Sequence, residues 1–186
     1  PEDLAAAKRK LSASSDLMPV TLNDAWLRDI GPTFVMEDDA LVAIDWQFNG
    51  WGQNTEFEWD DNDASARQIT ETSAAPTKHS EIVNEGGIHA DGQGSVLLTD
   101  TVQLDPTRNP GHDRDSIAAR VHSALGTNRA IWLCKGFWRD NFSNGTKGHV
   151  DIVACFAPDG CLLVHQQTSQ DHPDFALRDT PPEQFR

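Results

Sequence analysis

Short apolar segments of strand length alternate with helical segments along the chain, and this alternation most constrains the fold. The clearest helix covers residues 113–125, where apolar side chains repeat every four residues and therefore share one face. Asp113 or Asp115 can cap its first turn, and Gly126 can end it. A buried strand is predicted directly after this helix, at residues 130–134.

Three hairpins are predicted around these elements, and a polar helix follows the first of them at residues 63–72. Turn-forming residues separate the two strands in each case. The predicted strand pairs are 33–36 with 41–44, 81–84 with 95–100, and 150–157 with 161–165. Because the connections are short throughout, the pattern predicts an α/β fold. The spacing also suggests a repeated unit of strands with one helix in each unit.

The acidic composition excludes two classes of partner. A formal net charge of −14 opposes binding to nucleic acid and to anionic membranes, since both need a basic surface. It favours the approach of a cationic substrate. No apolar run is long enough to span a bilayer, and residues 1–10 lack the apolar core of a signal peptide. These features predict a cytoplasmic protein.

The three cysteines show no metal-binding or redox spacing. Cys134, Cys155 and Cys161 each lie in or beside an apolar segment. We therefore expect buried, unreactive thiols.

Four polar clusters could carry chemistry, and the segment 148–151 contains the residue types best suited to catalysis. If it is extended, His149 and Asp151 point to the same face, an arrangement suited to proton transfer beside a positive substrate. From the spacing alone, a surface histidine beside an edge aspartate is the commoner explanation. The other clusters are residues 23–32, 84–87 and 105–110.

Single residues of the other clusters each have a structural explanation beside the functional one. Glu85 precedes two glycines, which let a ligand approach the backbone, yet turn acids are common. Asp29 follows Arg28 and could form an ion pair with it. Trp26 could line a pocket, although most tryptophans belong to the core. Arg108 is expected to bond backbone carbonyls.

Taken together and in this order, the clusters resemble the agmatine deiminases of the guanidine-modifying pentein superfamily. The matching segments are 23–32, 45–52, 84–92, 103–110, 131–133 and 148–151, within residues 22–175. The resemblance implies a partial five-bladed α/β-propeller, the pentein fold. Residues 1–186 would then be the central part of a single deiminase propeller domain.

The resemblance also implies a reaction. A hydrolase of this family converts agmatine to N-carbamoylputrescine and ammonia, a step of putrescine biosynthesis, through a covalent intermediate on a cysteine. No metal or other cofactor is expected, because the substrate carries its own positive charge. Nothing in the sequence determines the oligomeric state, so a homo-oligomer stays open.

Five residues acquire roles from the resemblance. Asp29 and Asp151 would grip the guanidinium nitrogens, because a planar guanidinium presents forked donors to each carboxylate. His149 would protonate the departing ammonia and then activate water. Glu85 would hold that imidazole or contact the substrate directly. Trp26 would line the channel for the four-carbon amine chain.

Two features depart from the family pattern. The Gly-rich segment with the nucleophilic cysteine has no match, since the three cysteines fall elsewhere. With a start at Pro1 and an end near the proline-rich residues 180–182, the chain is expected to be a fragment without the C-terminal blade. Alone, it is expected to be incapable of turnover. Residues 144–147 also lack the acid that many relatives carry there, and include Lys147 instead.

Three alternatives stay open at this point. An arginine- or peptidylarginine-directed deiminase, or an amidinotransferase, would share the same fold and site. A non-catalytic propeller could retain only the cation pocket. A metal-dependent hydrolase could use His89 with Asp91 and His149 with Asp151 as two ligand pairs.

Overall fold

Three small β-sheets and short helices form the mixed α/β fold of the computed structural model, which describes residues 2–11, 14–53, 56, 58–142 and 145–179. The strands are β1 (Thr33–Glu37), β2 (Ala40–Gln47), β3 (Thr77–Val83), β4 (Ile88–Ala90), β5 (Ser95–Thr99), β6 (Arg129–Leu133), β7 (Ala154–Phe156) and β8 (Leu162–Val164). The helices are α1 (Glu2–Lys10), α2 (Leu27–Ile30), α3 (Gly50–Gln53), α4 (Asp60–Asp63), α5 (Ser65–Ser73), α6 (Asp100–Gln103), α7 (Arg114–Leu125) and α8 (Val150–Val153). Two 3₁₀ segments are Trp138–Asn141 and Pro173–Asp179.

One topological unit occurs twice in full. β1 and β2 form an antiparallel hairpin, and the chain then returns through α4 and α5 to place β3 parallel to β2. β4, β5, α7 and β6 repeat this order, with β6 parallel to β5. β7 and β8 form a third antiparallel hairpin. A parallel neighbour needs a crossover, and a helix supplies it in both units. The repeated unit suggested by the spacing is therefore present.

The second sheet separates two hydrophobic clusters. Val96 and Leu98 of β5 pack in one cluster with Ile117 and Val121 of α7. Leu97, between them in sequence, packs in the other cluster, together with buried residues of β6 and α8. Successive side chains of a strand point to opposite faces, so a sheet buried on both faces needs a continuous apolar strand.

The predicted helix at residues 113–125 is confirmed as α7. The Asp113 carboxylate accepts a hydrogen bond from the backbone N–H of Ser116, and the Ser116 hydroxyl oxygen accepts one from the backbone N–H of Asp113. Gly126 ends the helix with a φ of 67°. These are local interactions, which explains why the sequence alone was sufficient to place this helix.

Two of the predicted hairpins are wrong in part. Residues 81–83 belong to β3, which pairs with β2, so the partner of β5 is instead Ile88–Ala90. The last hairpin begins at Ala154, because residues 150–153 form the helical turn α8. Both Val150 and Val153 are buried on one side of that turn, a spacing of three that suits a helix. His149 and Asp151 therefore do not share the face of a strand.

The prediction of three buried thiols is also wrong. Cys134 and Cys161 are exposed, and Cys155 is half-buried. Cys134 follows the last residue of β6, and Cys161 lies in the turn before β8. Asn144 and residues 180–182, which entered the sequence analysis, lie outside the described residues. In the described part of the chain, no helix is both long and apolar enough to cross a membrane.

Candidate functional site

The repeated topology places three acidic residues at equivalent points, just before the first strand of each hairpin. Asp29 in α2 precedes β1, Glu85 precedes β4, and Asp151 in α8 precedes β7. The negative charges of Asp151 and Glu85 both raise the pKa of Asp29. Asp29 thus lies within electrostatic reach of two acids that are far from it in sequence.

Asp29 is a half-buried carboxylate with an unusual affinity for a proton. Burial raises its pKa to about 7; a hydrogen bond from the Trp51 indole opposes this rise, and the charge of Asp151 adds to it. Trp51 Nε1 donates to Asp29 Oδ2 over 2.9 Å. Gly86 permits the close approach of the chain, because a Cβ there would lie 2.3 Å from Asp29 Oδ1. The site therefore holds a negative charge poorly unless a cation neutralises it.

Glu85 is fully buried and bonded to three donors. Its Oε1 accepts from the backbone N–H groups of Asn49, at 2.9 Å, and Trp51, at 2.6 Å. Its Oε2 accepts from Arg108 Nε at 2.5 Å. None of the hydrogen bonds described for Glu85 goes to His149, so the expected hold on the imidazole is not seen. Direct contact between Glu85 and a substrate stays a prediction.

Arg108 connects Glu85 to the loop that carries His149. Its side chain is fully buried, and its Nη2 donates to the Thr146 carbonyl over 2.7 Å, in line with the expected backbone contact. Its Nη1 lies 3.6 Å from an Asp105 oxygen. Asp105 also binds the Lys147 ammonium at 2.6 Å. The buried ion pair with Glu85 was not predicted, because the two residues are 23 positions apart.

His149 is buried, with 3% of its surface exposed, and is held through its backbone. The Asp140 carboxylate accepts hydrogen bonds from the backbone N–H groups of Thr146, Gly148 and His149. Thr99 Oγ1 donates to the Gly148 carbonyl over 2.7 Å. Asp140 was another residue that the sequence analysis missed.

The His149 imidazole is neutral near pH 7. Burial lowers its pKa to about 3, and the charges of Arg108 and Arg28 act in the same direction, against Asp140. Its Nε2 has no hydrogen-bond partner among the described residues, and the same is true of Asp151 Oδ1. Buried polar atoms are almost always paired in proteins, so these two unpaired atoms, one of them on a residue whose charge acts on Asp29, indicate a site for a polar ligand.

Trp26 stands at the entrance to α2, and its carbonyl accepts from the backbone N–H groups of Asp29 and Ile30. Its side chain is 61% exposed. The expected contact with a substrate chain stays a prediction. Three non-glycine residues near the acids have positive φ angles, which is strained backbone of the kind found at functional sites: Trp51, Glu85 and Lys147.

The described residues form no group of three or more His, Cys, Asp or Glu side chains arranged to hold a metal ion. The two ligand pairs required by the metal-hydrolase alternative are therefore not assembled. A cavity of about 720 Å³ opens beside Asp45 and His79, and Arg108 also lines it. Because Asp29, Glu85, His149 and Asp151 do not line this cavity, it is separate from the cluster of acids.

Replacing Arg108 with Leu is expected to destabilise the complete gene product by about 3–5 kcal/mol, because Glu85 would become a buried charge without its cation. Urea unfolding at pH 7 measures this. Arg114→Leu is the matched control, since Arg114 pairs with Asp100 at the surface and such pairs contribute about 1 kcal/mol or less. Equal small losses for both variants would contradict a structural role for the buried pair.

Comparison with known proteins finds similar sequences over nearly the whole chain. The family model of the Porphyromonas-type peptidyl-arginine deiminases matches residues 1–184. A Streptomyces coelicolor protein, provisionally named an agmatine deiminase, is 49% identical over 94% of this chain and 52% of its own length. The agmatine deiminase of Medicago truncatula is 31% identical over 91% of this chain and 48% of its own length.

The fold is shared with a solved structure. The agmatine deiminase of Enterococcus faecalis matches with a TM-score of 0.86 and 32% identity, over 98% of this chain and 51% of that protein. The chain thus spans about half the length of the relatives that it matches.

Proposed function

Because the chain belongs to the Porphyromonas-type peptidyl-arginine deiminase family, we propose that it forms the guanidinium-binding part of an agmatine deiminase. The complete protein would hydrolyse agmatine to N-carbamoylputrescine and ammonia, as a step of putrescine biosynthesis. The three sheets would form part of a five-bladed propeller, with the acids near its axis. Two full copies of one unit and a third hairpin support this arrangement.

One observation carries the proposal, namely that the half-buried Asp29 lies within electrostatic reach of Asp151, which has an unpaired buried oxygen, while the buried imidazole two residues before Asp151, that of His149, has an unpaired nitrogen. Two carboxylates of like charge repel each other and lose solvation, so the cluster favours a bound cation. A guanidinium suits it because this planar ion offers paired N–H donors to a carboxylate on each side. Asp29 and Asp151 would bind its nitrogens.

The neutral His149 fits both proton transfers of the reaction. It would accept the proton of a cysteine thiol as the sulfur attacks the guanidinium carbon, and would pass that proton to the departing ammonia. It would then take a proton from water while the water oxygen attacks the thioether carbon and the thiolate leaves. None of the three cysteines here matches the family's nucleophile, so we propose that a thiol outside these 186 residues supplies it.

The choice of agmatine over arginine or peptidyl-arginine is supported by the identity to agmatine deiminases and by the local charges. The stretch 144–147 lacks the acid that the resemblance leads one to expect, but the ammonium of Lys147 in that stretch binds Asp105 and is neutralised there. It therefore does not repel the distal amine of agmatine. Arginine-directed deimination and amidino transfer are the competing reactions on the same site.

The direct test is ammonia release by the complete gene product from agmatine, with arginine and peptidyl-arginine alongside. We expect a strong preference for agmatine. A preference for arginine or peptidyl-arginine would keep the enzyme class and overturn the substrate. No release from any guanidine by a folded protein would overturn the enzyme and leave a cation-binding protein.

The raised pKa of Asp29 predicts the pH dependence of the reaction. Binding a guanidinium requires the ionised carboxylate, and below pH 7 Asp29 holds a proton instead. We expect kcat/KM for ammonia release to fall about 10-fold for each pH unit below about 7. We call this fall below pH 7 the acid limb of the profile. The pKa of His149, at about 3, is too low to cause it. A kcat/KM that stays flat between pH 5 and 7 would contradict the assignment.

A further inference from the structure

Four consecutive residues, Gly50 to Gln53, all adopt positive φ angles, of 70°, 55°, 91° and 62°. Glycine accepts this left-handed backbone without strain, whereas Trp51 and Gln53 do not. A tryptophan at the second position of such a turn needs support from its surroundings. The proposed reaction assigns no role to Trp51.

The turn is held by the buried acid Glu85. The backbone N–H groups of Asn49 and Trp51 converge on Glu85 Oε1, as successive N–H groups do in backbone sites that bind anions. The Asn49 side chain closes the turn, because its Oδ1 accepts from the backbone N–H of Gly52 at 2.9 Å and its Nδ2 donates to the Thr107 carbonyl. The backbone of Trp51 is therefore anchored to a residue that is itself fully buried.

The indole of Trp51 reaches the other acid. Its Nε1–H donates to Asp29 Oδ2 over 2.9 Å, and its ring packs edge-on against the buried Phe48, with centroids 5.2 Å apart. Asp29 Oδ1 receives no hydrogen bond in the described part of the chain, so the two oxygens of Asp29 have different surroundings. Trp51 thus connects Glu85 and Asp29 through its backbone and its side chain.

We propose that Trp51 is a positioning residue, whose indole N–H holds Oδ2 of Asp29 and stabilises its ionised form, so that Oδ1 receives the guanidinium. This inference rests on the proposed function. The left-handed turn serves to aim the indole at Asp29, with Glu85 as its anchor. In this role Trp51 acts on the substrate only through Asp29.

Trp51→Phe in the complete gene product tests the inference, since it removes the N–H and keeps an aromatic ring. Loss of the hydrogen bond raises the pKa of Asp29 further. We expect the acid limb of kcat/KM for agmatine to move up by about one pH unit, which is a ~10-fold loss at pH 6 and near-recovery at pH 9. A loss of the same size at every pH would indicate a merely structural role and would overturn the inference.

Trp46→Phe is the matched control. The Trp46 indole also donates one hydrogen bond of 2.9 Å, but to the neutral hydroxyl of Thr33. The acid limb should stay at its wild-type position in this variant. A limb that moves equally in both variants would contradict a specific role for Trp51.

Two further measurements test the inference if Trp51→Phe does not fold or if the wild-type protein is inactive. If Trp51→Phe fails to fold, benzothienylalanine at position 51 retains the shape of the indole without its N–H, and should give the same shift. If the wild-type protein releases no ammonia, the proposed function fails while the inference can still be tested. The Nε1–H NMR signal of Trp51 should then titrate with a midpoint near pH 7, and a signal unaffected by pH would overturn the hydrogen bond to Asp29.

Discussion

His149→Asn is expected to lower kcat for ammonia release from agmatine by about 10²–10⁴-fold, the range that general acid–base groups contribute. The ring is neutral because burial holds its pKa at about 3, so it can accept a proton from an incoming thiol. Its Nε2 has no partner among the described residues and is free to exchange that proton. Asparagine preserves the approximate size and polarity of the side chain but cannot carry a proton at neutral pH.

Steady-state kinetics at saturating agmatine measures this effect, and thermal unfolding checks that the variant is folded. His79→Asn is the control, since His79 is an exposed residue paired with Asp45, outside the cluster of acids. It should retain wild-type kcat. An activity of His149→Asn within tenfold of the wild type would contradict its role in proton transfer.

Asp151→Asn is expected to lower kcat/KM for agmatine by about 10²–10³-fold, because the cation would lose a half-buried charged partner. The free energy of unfolding should stay the same or rise. Asp151 Oδ1 is buried without a hydrogen-bond partner. Removing the charge of Asp151 therefore removes an unfavourable desolvation free energy from the folded protein without substrate. Opposite effects on activity and stability are typical of residues kept for function.

Kinetics and urea unfolding of the same preparation separate the two effects. Asp45→Asn is the matched control, because Asp45 is a buried aspartate whose carboxylate is paired with His79 at 2.7 Å. This variant should lose stability and keep kcat/KM. If Asp151→Asn instead lost stability together with activity, the carboxylate would have a structural role and the assignment to substrate binding would fail.

The local elements could be predicted well because their causes lie within a few residues. The caps of α7 at Asp113 and Gly126 are interactions between near neighbours in the chain. The hairpin of β1 and β2 is likewise joined by a two-residue turn. The errors occurred where partners are distant. Residues 81–83 were assigned to a hairpin, but they belong to β3, which pairs with β2 across a helical crossover.

The candidate site shows the same division. Asp29, Glu85, His149 and Asp151 could be selected from the sequence, because their motifs resemble those of a known family. Arg108 and Asp140 were missed as partners of the site, although each bonds one of these residues or its loop. The bond from Trp51 to Asp29 joins residues 22 positions apart and was not predicted either.

The sequence by itself determined the α/β class, the capped helix, the order of the motifs and the residue types available for chemistry. Only the tertiary structure decided their states: Glu85 paired and fully buried, Asp29 with a pKa of about 7, and His149 neutral. The reason is physical. Caps and turns depend on contacts a few residues apart, whereas desolvation and charge–charge energies depend on everything packed nearby, wherever it lies in the chain.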